Sequence, residues 1–394
     1  MAPKTILFAS PFHLLDRSSG AAISCHTMVK QLAARGDRVV SVGATIFDKP
    51  AFARAADWLS NQKAQPLQTG SKFPYWLIKE AGITHYISLA RAQTRPAMTS
   101  QEEEAWWALF QKAVADLKPD IVIGYGGQIL EQLMWRWLAA KKIPSLFYLA
   151  NPGYYQCDWF DQLGAVMTDS AATAQVYREK IGLKAHVVGK FIEPIRMLPT
   201  AARDHILFIN PVPEKGVALF VALAKAMAES HPEQRFLVVE SRGKLAPAMQ
   251  ALGVARLANV SLLPLQPNMT GVWNRTKILL LPSFWHESGS RLAVEALSLG
   301  IPVLASPSGG MAAMLHGSGK MLPVPQRTRE TYMDPVPEED VAPWLAQLRQ
   351  WVDDPAALAE AQKGARNAWE THPEINDLTR LDQAIAAAQA KYSA

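Results

Sequence analysis

The chain has 394 residues, 49% of them hydrophobic and 19% charged, enough for two domains of ordinary size with a large buried core. Its formal net charge of +5 suits an anionic ligand or an anionic membrane face; with no arginine-rich run, no nucleic-acid partner is expected. Cys25 and Cys157 are too few and too scattered for a disulfide framework or a zinc site. No apolar run reaches the length that spans a bilayer. The opening residues MAPKTILFASPF read as a first strand rather than a signal peptide, so the chain is expected in the cytoplasm.

In chain order, Thr5–Ser10 reads as a strand, and the loop from Pro11 ends in Ser18-Ser19-Gly20. A helix then runs through Ala34, and Arg35-Gly36-Asp37 turns into a strand at Val39–Gly43. This βαβ unit has no GxGxxG fingerprint, so a dinucleotide reading has no support. Residues 50–115 read as several helical stretches rich in Trp58, Trp76, Trp106, Trp107, Arg91 and Arg95. Lys72–Lys79 alternates basic and aromatic groups. That composition suits either peripheral contact with the inner face of a membrane or an ordinary core edge with solvated lysines. Strands are expected after Lys118-Pro119-Asp120, at Ser145–Leu149 and at Ala165–Ser170, with helices at Gln128–Ala140 and Ala171–Lys180. Tyr154, Tyr155, Trp159 and Phe160 are either sugar-stacking aromatics or a packed loop. Pro194 and Pro199 break a stretch without periodicity, the best domain boundary. The domains expected are 1–193, 200–372 and a final segment, 373–394, packing back on the first.

The second half restarts with a strand at Ile206–Ile209, followed by Asn210-Pro-Val-Pro-Glu-Lys215-Gly216 and a helix through Met227. Strands follow at Phe236–Val239 and Asn259–Leu263. The densest pattern is Leu279–Met311, LLLPSFWHESGSRLAVEALSLGIPVLASPSGGM. It reads as a buried strand, a small-residue loop, a helix from Arg291 stopped by Gly300, a second strand and a second loop. Such an edge, with helix N-termini and unpaired amides, suits phosphate. Glu295, inside the helix, either emerges near a ligand or pairs with a base. Helices are expected at Glu339–Val352, Pro355–Glu370 and Leu378–Lys391.

Glu287-x7-Glu295, followed by Ala-Leu-x-x-Gly-x-Pro-Val-x-Ala-Ser, resembles the donor-site signature of retaining glycosyltransferases of the glycogen-synthase-like type (glycosyltransferase family 4). The resemblance extends to the first βαβ unit and to Pro213–Gly216. It implies an α/β protein of two Rossmann-like doubly wound domains facing a cleft (the GT-B arrangement), which moves a sugar from a UDP- or GDP-linked donor to a glycan, glycolipid or small-molecule acceptor. The resemblance puts Lys215 and the amides around Ser288, Gly289 and Ser290 on the donor diphosphate. Glu295 would accept from the ribose, Gln266 would lie where backbone groups hold the base, and Glu287 would hold the sugar. The family's phosphate-binding arginine falls at Asn210, with Arg291 as a replacement or a surface residue. Its catalytic histidine falls at Asn151, and its paired glycines are reduced to Gly20. With no Asp-x-Asp, neither metal nor other cofactor is expected. The competing readings are a sugar-nucleotide epimerase of similar architecture and a non-catalytic sugar-nucleotide-binding scaffold.

Overall fold

The computed structural model describes residues 2–49, 54–67, 73–156, 158–195, 203–266 and 268–392. Lys72, Cys157 and the boundary proline Pro199 lie outside them. The chain divides into two compact units, one of Met1–Ile192 with Glu374–Ala394, the other Glu193–Pro373.

The first unit runs β1 (Thr5–Ala9), α1 (Gly20–Ala34), β2 (Arg38–Ala44), α2 (Ala55–Asn61), β3 (Gln65–Leu67), β4 (Tyr75–Glu80), β5 (Ile83–Ser88), α3 (Ser100–Leu117), β6 (Ile121–Gly124), α4 (Ile129–Ala140), β7 (Ser145–Leu149), β8 (Ala165–Thr168), α5 (Ala171–Ile181) and β9 (His186–Val187). These strands form one sheet in the order β3-β4-β5-β2-β1-β6-β7-β8-β9. From β5 to β9 all neighbours are parallel. That explains the continuous apolar runs: helices cover both faces, so nearly every side chain of a central strand is buried. Leu7, Val40 and Val122 enter one core with Trp106, Phe110 and Trp135. Ile6, Phe8 and Ile121 enter the other with Met28 and Leu32 of α1. The closing helix, Leu378–Ala390, completes that second core through Leu381, Ala384, Ile385 and Ala388. Caps set the helix starts: Ser19 accepts from the Ala22 amide at α1, and Thr99 with Glu102 forms a capping box at α3.

The region read as several helical stretches holds α2 and most of α3, but also three strands that the reading did not expect. β4 and β5 form an antiparallel hairpin closed by Ala81 and Gly82, which have φ of 50° and 79°. Two-residue turns of this kind favour Asn-Gly or Asp-Gly, so an alanine in the first place hides the hairpin signal. The aromatics of 73–79 are mostly taken inward: Tyr75 and Ile78 are each 6% exposed, and Trp76 packs on the Phe47–Trp58 cluster. Of the two readings of this segment, the core edge describes its aromatic residues.

The second unit contains β10 (His205–Ile209), α6 (Val217–Ser230), β11 (Arg235–Glu240), α7 (Leu245–Ala251), β12 (Val260–Pro264), α8 (Thr270–Trp273), β13 (Thr276–Leu281), α9 (Arg291–Ser298), β14 (Val303–Ala305), α10 (Met311–Leu315), β15 (Lys320–Met321), α11 (Glu338–Asp353) and α12 (Pro355–Thr371). Its strands run β12-β11-β10-β13-β14-β15, all parallel. Phe208, Phe220 and Phe236 pack with Trp344 and Leu348 of α11 on one face. On the other, Gly300 lies against Arg366 of α12, where an added Cβ would sit 2.7 Å from the arginine chain. No helix among the described residues is long and apolar enough to cross a membrane.

Candidate functional site

In the second unit the chain leaves β10 toward one sheet edge and returns at β13 to build toward the other. The C-terminal ends of β10 and β13 therefore mark a topological switch point, where doubly wound sheets take their ligands. Lys215 follows β10, and Glu287 follows β13. The structure brings them together: Lys215 Nζ donates to Glu287 Oε1 at 2.5 Å. Ser283 Oγ donates to the same oxygen at 2.5 Å. The lysine side chain remains 30% exposed and the glutamate 14%, so the pair is seated yet open to a ligand. An ammonium carries three donors, so Lys215 can hold Glu287 and still donate to a phosphate.

Backbone contacts fix the approach of these two loops. The amides of Phe284 and Trp285 both donate to the Glu214 carbonyl, at 3.0 and 3.1 Å. Gly216 has φ of 78°, and a Cβ there would lie 1.9 Å from the Pro282 carbonyl oxygen. Only glycine suits both the left-handed backbone and the close approach. Gly310 donates its amide to the Glu287 carbonyl at 2.6 Å, so the loop after β14 supports the same turn. Ser283 and Gly310 are the parts that sequence reasoning missed. Their signal was present: each is a small residue just past a strand end on the switch-point edge.

Ser288 and Ser290 are buried and Gly289 is half-buried. Ser290 caps α9, its hydroxyl accepting from the Ala293 amide at 3.3 Å. Arg291, the first residue of α9, and Glu295 one turn later form an ion pair, Nε to Oε1 2.6 Å, with side chains only 16% and 10% exposed. Glu295 thus pairs with a base, and Arg291 is no freely solvated surface residue. An arginine at a helix N-terminus opposes the dipole, and the first turn of α9 has no acidic residue. Glu295 offsets part of that cost, and an anion at this end would offset more.

Two further candidates make local side-chain contacts. Asn210 lies at φ 65°, and its Oδ1 accepts from the Arg242 amide at 2.9 Å. It thus ties the loop after β10 to the loop after β11. Gln266 donates from its side chain to the Pro264 carbonyl at 2.8 Å, a contact inside its own turn.

In the first unit the switch point falls between β1 and β6. Gly20 opens α1, and a Cβ added there would meet nothing within 4 Å, so the position is open without the backbone requiring glycine. Asn151, after β7, is exposed, and its Oδ1 accepts from the Gly153 amide at 2.9 Å. Its side chain therefore shapes its own turn. His13, in the loop after β1, is 1% exposed and packs on Phe47 and Trp58. Burial, with His85 and His26 nearby, pulls it from 6.5 to about 3, so it is neutral. Beneath the loop after β6, Arg95 forks onto Glu131, Nε to Oε1 3.2 Å and Nη2 to Oε2 2.8 Å, with both residues buried. Gly126, at φ 107°, rests on that carboxylate. Tyr155 stacks beside Tyr177, and Phe147, Tyr154, Trp159 and Phe160 pack edge to face, so the aromatic run is a packed loop.

Residues 203–347 match the family described as Glycosyl transferases group 1. A D-inositol 3-phosphate glycosyltransferase of Thermobispora bispora is 27% identical over 182 residues, 43% of this chain and 39% of that protein. The chain thus spans well under half the length of this curated relative. Among solved structures, sucrose-phosphate synthase from Thermosynechococcus elongatus superposes with a TM-score of 0.66 at 14% identity, covering 99% of this chain and all of that one. HepE of Anabaena, in complex with UDP and glucose, gives 0.65 at 15% identity, over 98% of this chain and 100% of its own. Residues 203–347 thus resemble the group 1 glycosyl transferases, and the two parallel α/β units of the chain carry the GT-B fold of these structural neighbours.

Proposed function

We propose that the chain is a retaining glycosyltransferase that takes its sugar from a nucleoside diphosphate donor bound on the second unit. The observation that carries this reading is the Lys215–Glu287 pair at the β10/β13 switch point, beside the Arg291–Glu295 pair at the start of α9. Two cations and capped helix amides provide for a diphosphate, and two carboxylates provide for hydroxyl groups. As the glycosidic bond breaks, charge grows on the leaving diphosphate, and fixed donors aimed at that charge are usually the largest catalytic contribution. Lys215 meets this charge while Ser283 and Lys215 hold Glu287 in place for the sugar. Glu295 accepts from the ribose, as carboxylates do in other nucleotide folds. The donor reading is supported by HepE, whose structure holds UDP and glucose.

The acceptor is a glycan, a glycolipid or a small hydroxylated molecule, held mainly by the first unit. A peripheral membrane contact at the inner leaflet would rest on α4, where Ile129 and Leu133 are 75% and 50% exposed one turn apart and Arg136 and Lys141 are exposed on following turns.

Glu295→Ala removes a charge-assisted partner of the ribose, worth roughly 1.5–3 kcal/mol. Calorimetric titration with UDP and GDP should show affinity falling by the corresponding factor, about 10–150-fold, for the nucleotide the protein prefers. Unchanged affinity in a folded variant would make the Arg291–Glu295 pair a support of α9 alone.

A further inference from the structure

We propose that His26, Glu80 and His85 of the first unit form a binding site for a divalent transition-metal ion of the zinc class, away from the sheet edge that carries Gly20 and Asn151. His26 lies in the second turn of α1, Glu80 ends β4, and His85 sits on β5. The hairpin register pairs Ile78 with His85 and Glu80 with Ile83, so Glu80 and His85 share the face that α1 covers. One ligand atom from each of the three lies within 4.8 Å of the others.

The contacts already present divide the donor atoms in a telling way. Glu80 Oε1 lies 3.7 Å from Lys30 Nζ, and Glu80 Oε2 lies 2.8 Å from His26 Nε2. His85 Nδ1 is bonded to the Ser41 hydroxyl at 2.7 Å. That contact fixes the ring and leaves Nε2 facing Glu80 Oε2 across 4.0 Å, too far for a hydrogen bond. His85 is fully buried, and its Nε2 has no hydrogen-bond partner. A buried imidazole nitrogen left in this state carries a desolvation penalty with nothing to offset it.

An ion would resolve this. Zinc binds imidazole nitrogen and carboxylate oxygen at about 2.0–2.2 Å, so tetrahedral ligand atoms lie about 3.4 Å apart. The separations of 2.8 and 4.0 Å bracket that value, and small side-chain rotations suffice. The Ser41 hydroxyl supplies the outer partner that a ligating histidine ordinarily has on its other nitrogen. Glu80, with a side chain 37% exposed, leaves an entry path and room for a water as fourth ligand. The bound ion would tie α1 to the β4–β5 hairpin.

The test uses the full chain without a histidine tag, stripped with chelator, then titrated with Zn²⁺ by calorimetry and with Co²⁺ by visible absorption. One equivalent should bind, raise the melting temperature, and give Co²⁺ bands of tetrahedral or five-coordinate form. Glu80→Gln, at a partly exposed position, should abolish stoichiometric binding while the metal-free variant melts normally. Ser41→Ala, which touches no metal, should weaken binding by about 10–100-fold. The proposal falls if the metal-free protein takes up no stoichiometric Zn²⁺, or if uptake is unchanged in both Glu80→Gln and Ser41→Ala. In either case the His26–Glu80 contact is an ordinary hydrogen-bonded pair.

Discussion

Lys215→Ala is expected to lower kcat by about 10²–10³-fold, the loss seen when one fixed donor to developing charge is removed. The donor KM should change less, because the interaction strengthens as the diphosphate leaves. The structure adds a control: Lys215 also holds Glu287 at 2.5 Å, so its removal takes one donor from that oxygen and keeps the Ser283 hydroxyl there. Glu287→Gln keeps the Ser283 contact and removes the charge. It should impair recognition of the sugar-nucleotide while leaving affinity for free nucleoside diphosphate nearly intact. If the lysine served only to position Glu287, Lys215→Ala and the double variant would match Glu287→Gln in steady-state kinetics. If it meets the diphosphate, both will be slower than Glu287→Gln. Asn151→Ala supplies the comparison from the first unit. Its side chain caps its own turn through the Gly153 amide, so a silent variant there beside an inactive Lys215→Ala would exclude the asparagine from the chemistry.

Glu131→Ala should destabilise the first unit by up to about 3–5 kcal/mol, because it takes from a buried guanidinium its buried carboxylate partner. Arg95 is 3% exposed and Glu131 fully buried; without the carboxylate, Arg95 keeps an ion pair with Glu103, at 2.7 Å, on the rim of the site. Gly126 also rests on Glu131, so the loop after β6 should loosen as the ion pair is lost. Urea denaturation followed by circular dichroism measures the loss. A change below about 1 kcal/mol would mean that water reaches Arg95 and that the loop does not depend on the pair.

These two predictions show where the sequence was legible. The central strands of both sheets stood out because a parallel strand covered on two faces is apolar along its length, as in Ile278–Leu281 and Ile121–Ile123. The Leu279–Met311 stretch disclosed its strand, loop and helix through Gly300 and Pro302. The Arg291–Glu295 contact was within reach, since four residues on a helix bring two side chains together. Lys215 and Glu287 are 72 residues apart, and nothing local announces that they meet; only the order of strands brings their loops together. Arg95 read as part of a basic surface because its partner lies 36 residues away. The β4–β5 hairpin was hidden by Ala81, an alanine holding a left-handed backbone where asparagine or glycine is the usual signal. His85 gave no sign of its role, since its neighbours His26 and Ser41 come from α1 and β2.

The central claim is transfer of a sugar from a nucleoside diphosphate with retention at the anomeric carbon. The most direct measurement incubates the protein with UDP- and GDP-linked sugars, with and without candidate glycan or glycolipid acceptors, and follows the anomeric protons by NMR. The account predicts release of nucleoside diphosphate with a product of the donor's own anomeric configuration, and loss of that activity in Lys215→Ala. An inverted product, an epimerised sugar-nucleotide, or tight donor binding without turnover across the acceptor set would contradict it.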